Sequence, residues 1–212
     1  MQKSSSEPRL FRPEALKPPR QFIAPTLPEK QALWLEIGAG VGMHALACAA
    51  ANPQVQLYAI ERTAEKYHKF EQRFQAQPLP NLQPIHADAV PWLVHALPPA
   101  CLERVFILYP NPEPKNAAQR WLNRPFFAFL LSRIRDHGQI QLASNIPAYI
   151  QEARTQADQH WQLQVEQRLV SGEGRTHFEV KYLARGEPCS ELVLIKPAAY
   201  KTPFDEYVAG RV

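Results

Sequence analysis

This chain has few cysteines, no membrane-length apolar run and no strong excess of either charge. Its three cysteines, Cys48, Cys101 and Cys189, are odd in number, widely separated and match no metal-ligand spacing. They argue against a disulfide framework and a cysteine-based metal site, and a reduced, cytoplasmic protein is the simplest expectation. No apolar stretch is long enough to cross a bilayer as a helix, and no signal-peptide hydrophobic segment stands near the start. The formal net charge of the 212 residues is only +4. That is a mild preference for acidic partners, compatible with RNA without demanding it. No internal repeat is visible. With 45% hydrophobic residues, the length suits one domain with a substantial core and is too short for two. Proline, by contrast, is abundant at 21 residues, many at predicted element boundaries where it ends helices or pre-sets turns.

One stretch organises the rest. Leu33-Trp34-Leu35-Glu36-Ile37 is a nearly continuous apolar run, as expected of a strand buried on both faces. Gly38, Gly40 and Gly42 follow on alternate positions, where the backbone can turn tightly and approach a ligand without a Cβ in the way. A helix over 43–51 then offers its N-terminal amides and positive dipole end. The spacing is G-x-G-x-G, not the dinucleotide fingerprint G-x-G-x-x-G. Glu61 ends the next predicted strand, about 20 residues on, where a carboxylate can accept the hydrogen bonds of a ribose diol. A solvated strand end is the plainer role for it.

From Leu33 the chain alternates strands (33–37, 55–60, 82–86, 104–108, 139–143, 163–169, 192–195) with helices (43–51, 64–76, 91–96, 119–134, 147–159 and a short one from His177). This alternation predicts a doubly wound α/β sheet with helices on both faces and ligands above the carboxyl ends of the strands. Residues 1–30 are Pro-rich and dotted with Lys3, Arg9, Arg12, Lys17 and Arg20. They read as a flexible or loosely docked basic arm, either solvated or in contact with phosphates. The domain proper spans 31–197, and 198–212 is a tail without an evident place.

Other strand ends carry polar residues. Asp88 follows the third strand, able to accept from an exocyclic amine or simply to cap the next helix. The Pro-punctuated loop Tyr109-Pro110-Asn111-Pro112-Glu113-Pro114-Lys115 follows the fourth. Asn111-Pro112 begins like the N-P-P-Y/F loop of amino-methyltransferases, but Glu113-Pro114 supplies no stacking aromatic. Thr176 and Glu179 have the T-x-x-E spacing of a capping box.

Glu36-x-Gly38-x-Gly40-x-Gly42 resembles motif I of class I S-adenosylmethionine (SAM) methyltransferases, with a Rossmann-like seven-stranded sheet. His86-Ala87-Asp88-Ala89, the 105–115 run, Ala143-Ser144-Asn145 with Tyr149, and Thr176-His177-Phe178-Glu179 resemble, in order, segments of the tRNA (guanine-N7-)-methyltransferase (TrmB) family. That family reads F/Y-P-D-P-W-x-K, T-D-x-x-x-Y and T-x-F/Y-E at these places. The resemblance implies an RNA methyltransferase, with Glu36, Gly38, Gly40, Gly42, Glu61 and Asp88 on the SAM side. It implies Asn111 and Asn145 as catalytic residues, Lys115, Thr176 and Glu179 as substrate-binding residues, tRNA as partner and no metal. Lys115 is also readable as a solvated charge. The departures all fall on the substrate side. The family's two aspartates are Asn111 and Asn145, its tryptophan is Glu113, and its basic cluster is reduced to Ala117-Ala118-Gln119-Arg120-Trp121. A diverged paralogue acting on a small-molecule or protein nitrogen, or a non-catalytic SAM- or RNA-binding protein, are the competing expectations.

Overall fold

The computed structural model describes residues 10–210. Seven strands, β1 (Ala32–Ile37), β2 (Val55–Glu61), β3 (Leu82–His86), β4 (Leu102–Leu108), β5 (Ile134–Ser144), β6 (Gln164–Leu169) and β7 (Ser190–Ile195), form one sheet in the order β3-β2-β1-β4-β5-β7-β6. β1 to β5 are parallel, and β7 runs antiparallel between β5 and β6. The helices are α1 (Met43–Ala51), α2 (Ala64–Ala76), α3 (Ala89–Ala96), α4 (Phe126–Arg133), α5 (Pro147–Thr155) and α6 (His177–Ala184).

Two apolar layers sandwich the sheet. Ala45 and Ala49 of α1 and Phe70 of α2 pack with Trp34, Leu57 and Phe106 on one face. Trp92 of α3, Phe127 and Leu130 of α4 and Ile150 of α5 pack with Leu35, Tyr58 and Ile107 on the other. Side chains alternate between faces along each strand, so with both faces covered the buried positions of β1 and β4 are apolar, except for Glu36 near the end of β1. Strand order reverses between β1 and β4, and the crevice at such a switch point is where a ligand enters a doubly wound sheet.

Several predicted boundaries shift. The helix expected over 119–134 is instead two short 3-10 turns, Ala117–Gln119 and Trp121–Asn123, followed by α4. Pro125 is the cause: it lacks an N–H and pushes Arg124 to an extended ψ of 139°, which a continuous helix forbids. β5 begins at Ile134, earlier than Gln139, and is interrupted where His137 takes a φ of +60° before Gly138. The helix expected over 147–159 ends its α portion at Thr155 and continues as a π turn, Gln156–His160.

Part of the expected arm, including Lys3 and Arg9, lies outside the described residues. From residue 10 onward the segment lies on the α3–α4 face. The Phe11 ring sits 5.3 Å from Phe126 and 5.4 Å from Phe129. The Tyr58 hydroxyl donates to the Thr26 carbonyl at 3.1 Å. Phe11, Leu16, Phe22 and Leu27 supply apolar area that the Pro-rich composition conceals. The C-terminal segment is anchored on the same face by the fully buried Arg133, whose guanidinium donates to the carbonyls of Leu97, Phe204 and Tyr207.

The cysteines serve packing. Burial pushes the Cys101 thiol up to about 12. Burial, followed by the Glu36 carboxylate, pushes Cys48 up to about 11 against the pull of Arg104 and Arg175. Both stay protonated at neutral pH and are poor nucleophiles. Among the described residues no group of His, Cys, Asp or Glu has the makings of a metal site, and no helix is long and apolar enough to cross a membrane.

Candidate active site

A cavity of about 450 Å³ opens at the switch point, above the carboxyl ends of β1, β2 and β4. On one side it is lined by Glu36, Gly38, Gly40, His44, Glu61 and Asp88, on the other by Tyr109, Asn111, Trp121, Arg124, Thr176 and Phe178.

The glycine loop accounts for the first side. Gly38, Gly40 and Gly42 have φ of +80°, +58° and +79°, the left-handed region that other residues enter at a cost. The amides of Gly38 and Ala39 donate to the Ile60 carbonyl, which ties the loop to the end of β2. Glu61, only 6% exposed, accepts from the Gly40 amide at 2.9 Å and from the Thr63 amide at 2.7 Å. A carboxylate has about four lone-pair sites, so both oxygens retain capacity for a diol. Glu36, 2% exposed, faces His44 with Oε2 2.9 Å from Nδ1, and His44 packs edge-on against Phe106.

The three glycines do different work. A Cβ on Gly38 or Gly40 would meet nothing within 4 Å, because both border the cavity. A Cβ on Gly42 would lie 2.0 Å from Cδ2 of the fully buried Phe70. Gly42 is therefore a packing residue. Gly42→Ala should lower stability by about 1–3 kcal/mol through overpacking and the left-handed backbone. A denaturation midpoint equal to wild type would mean that Phe70 moves aside freely.

Asp88 takes the capping role and stands at the cavity edge. Its Oδ1 accepts from the Val90 amide at 2.9 Å and caps α3, while the residue borders the cavity. Asn111 also borders it, within a strained loop: Tyr109 and Glu113 have φ of +51° and +46°. For bulky residues such values mark a conformation imposed by the surroundings. The Asn111 amide donates to Glu113 at 3.0 Å and its oxygen accepts from the Glu113 backbone, so the two replacements for family residues are bonded to each other.

Three expected substrate-side residues lie elsewhere. Asn145 is not among the cavity-lining residues, and its Nδ2 donates to Glu187 at 2.7 Å. Lys115 is exposed and also outside the lining. Thr176 lines the cavity, and its hydroxyl accepts from the Glu179 amide as the N-cap of α6, while the Glu179 carboxylate takes the Arg175 amide and not that of Thr176. Glu179 itself turns inward, fully buried, accepting from the Tyr109 hydroxyl at 2.9 Å and from the Arg175 guanidinium at 2.8 Å. Arg175 also donates to the buried Glu191 at 2.6 Å, and Arg168 pairs with Glu191 from the other side. This buried network clamps α6 to β7 and to the end of β4. Burial alone would raise the Glu179 carboxyl, but the bonds from Arg175 and Tyr109 hold it below its usual value. Burial of Tyr109, then its hydrogen bonds, raise its hydroxyl well above the ordinary phenol range.

Sequence reasoning missed His44, Lys66, Tyr109, Trp121, Arg124 and Phe178 as cavity-lining residues. Tyr109 had a usable signal, since it stands where an apolar strand ends. Trp121 and Arg124 were hidden by the helix expected to run through them.

A seven-stranded sheet of this order, with a glycine loop after β1 and an acid after β2, defines the class I SAM-dependent methyltransferase fold. A precorrin-6y C5,15-methyltransferase from Geobacter metallireducens GS-15 shares that fold at a TM-score of 0.58 and 18% identity, over 78% of this chain and 80% of that one. Residues 30–189 match a family model described as "Putative methyltransferase". A tRNA (guanine-N(7)-)-methyltransferase of Granulibacter bethesdensis is 33% identical over 73% of this chain and 73% of its own length. One of Hyphomonas neptunium is 33% identical over 59% of this chain. The chain belongs to the tRNA (guanine-N7-)-methyltransferase family. It spans 58% of the Hyphomonas relative and 53% of one from Nitrosospira multiformis.

Proposed function

We propose that this protein is a cytoplasmic, SAM-dependent methyltransferase acting on guanine N7 of tRNA. The observation that carries the reading is a single cavity, in which the glycine loop and Glu61 share one wall and the Asn111 loop with Thr176 forms the other. The residues present fit the cofactor. Gly38 and Gly40 leave open space where a Cβ would stand, Glu61 can hold a ribose diol, and the buried Glu36 offers negative charge to a cationic donor. Asp88 keeps a second oxygen beyond its helix cap for an exocyclic amine. When bound, SAM supplies a methyl group on a sulfonium sulfur.

Guanine N7 carries a lone pair and no proton, so the chain need not remove one. Its task is alignment: holding the base so that N7 approaches the methyl in line, and excluding water. The Pro-braced loop and the clamped α6 provide rigid walls for that. Asn111 offers one acceptor and one donor where a carboxylate would offer only acceptors for the base's N–H groups. Each lost charge-assisted contact costs about 2–3 kcal/mol, or roughly 30- to 150-fold. Asn145 is matched to its own partner, since an aspartate there would face the Glu187 carboxylate.

The test is nucleoside mass spectrometry of tRNA lacking 7-methylguanosine after incubation with protein and SAM. 7-Methylguanosine above the protein-free control is expected, and none at any protein concentration would remove the reading. The mutual bonding of Asn111 with Glu113, and of Asn145 with Glu187, favours a second reading: a diverged methyltransferase for another nitrogen. Labelled methyl transfer to protein or metabolite fractions but not to RNA would select it.

A further inference from the structure

The family's basic cluster is thinned here, and its surviving arginine is not free. Arg120 donates through Nε to the Pro112 carbonyl at 2.9 Å and pairs with Glu152. Two other cations stand at the cavity instead. Arg124, half-buried, lies with its guanidinium carbon 5.2 Å from the Trp121 ring centre, and both residues line the cavity. Lys66 of α2, also half-buried, places Nζ 5.6 Å from the Phe178 ring centre, and both of these line it too. Among the described residues neither cation is hydrogen-bonded or ion-paired to a carboxylate. The other cavity-lining arginine, Arg62, approaches Asp88 at 4.0 Å.

A cation held over an aromatic face is oriented without being neutralised, because the ring contributes a quadrupole and no net charge. Its N–H donors remain available to an anion, and a guanidinium held flat suits the two-pronged geometry of a phosphate. Arg124 and Lys66 come from different elements, the turn before α4 and the start of α2, and they share one cavity. A neutral nucleoside leaves both unmatched. A nucleotide within a phosphodiester chain brings a phosphate on each side of the target base, two anions for two cations.

From this we infer that Arg124 and Lys66 are the phosphate-holding groups of the acceptor strand. They stand on two different elements of one cavity, so that each can meet one of the phosphates flanking the target nucleotide. The inference rests on the RNA reading above and adds which side chains grip the backbone. It also accounts for the weak overall charge. Two oriented cations at the cavity supply local attraction that a net charge of +4 does not.

The experiment measures binding of unmodified tRNA to the full chain across a salt series, for wild type, Arg124→Gln, Lys66→Gln and Lys69→Gln. Lys69 is an exposed cation of α2, paired with Glu65 and outside the cavity lining, so it controls for loss of charge alone. Removing Arg124 or Lys66 should each weaken binding at low salt. Each should also reduce the steepness of log affinity against log salt by about 0.7–0.9, the contribution of one phosphate contact. Lys69→Gln should leave the slope at the wild-type value. Calorimetry with S-adenosylhomocysteine should give Arg124→Gln wild-type affinity, which separates a phosphate role from damage to the fold. Unchanged slopes in both cavity variants, with wild type still binding and methylating tRNA, would overturn this inference and leave the proposed function standing. Failure of wild type to bind tRNA at any salt concentration would overturn both. Reduced slopes without methylation would support the phosphate role and count against guanine N7 as the target.

Discussion

Arg175→Met is expected to destabilise the protein by about 3–5 kcal/mol, the usual cost of removing one partner from a buried ion pair. The reason is what it leaves behind. Glu179 is fully buried and would keep only the bonds from the residue 175 backbone amide and the Tyr109 hydroxyl, while Glu191, also buried, would keep only Arg168. Burial works against the Arg175 charge, but the two carboxylates outweigh it and raise its pKa above the ordinary guanidinium value. Urea denaturation measures the loss, and an unfolding free energy within about 0.5 kcal/mol of wild type would mean that the network contributes little. Double replacement, Arg175→Met with Glu179→Gln, should recover part of the loss, because the uncompensated charge is gone.

The same network sets an acid limit. The folded-state pKa of Glu179 is lowered, so its stabilising contribution is complete above the unfolded carboxyl value of about 4.3 and is lost as pH falls through the folded value. Wild-type stability should therefore fall below about pH 4. In Arg175→Met, which keeps only the backbone amide and the Tyr109 hydroxyl to hold the carboxyl down against burial, that part of the acid dependence should shrink.

Gly40→Val is expected to abolish SAM binding, with affinity lowered by at least about 100-fold. Two effects add. A β-branched residue at φ +58° is strained, which disturbs the amide held by Glu61, and its methyl groups would occupy the open space beside the loop. Because that space is empty of protein atoms, the fold should survive better than in Gly42→Ala, where the added carbon meets Phe70. Calorimetric titration with SAM or S-adenosylhomocysteine, beside a thermal melt, separates the two. Wild-type affinity in a folded Gly40→Val protein would contradict the placement of the cofactor. The pairing also distinguishes two glycines that look equivalent in the motif, one bordering a ligand space and one bordering a side chain.

The glycine-loop wall of the cavity was readable from the chain because its parts are local. The apolar run of β1, the alternating glycines and the acid closing β2 lie within 29 positions, and a strand end in a doubly wound sheet has only one place to be. Strand periodicity placed most elements for the same reason: burial on both faces demands apolar residues throughout. The opposite wall could not be read this way. Whether Glu179 points at a base or at Arg175, and whether Asn145 meets a substrate or Glu187, depends on partners far along the chain. For Glu179 the T-x-x-E spacing is the same either way, and for Asn145 the partner lies 42 positions on.

What the sequence alone determined is the class of sheet and the glycine loop that borders its cavity, since both follow from hydrophobic pattern and backbone freedom. Tertiary structure decided which charges are spent on one another inside the protein and which stand at the cavity without a carboxylate partner. Arg120, Arg175 and Glu179 are consumed by one another and by nearby carbonyls and carboxylates, whereas Arg124 and Lys66 rest on aromatic rings with their charge unmatched. The physical reason is that a charge is neutralised only by a neighbour in space, and folding alone assigns neighbours.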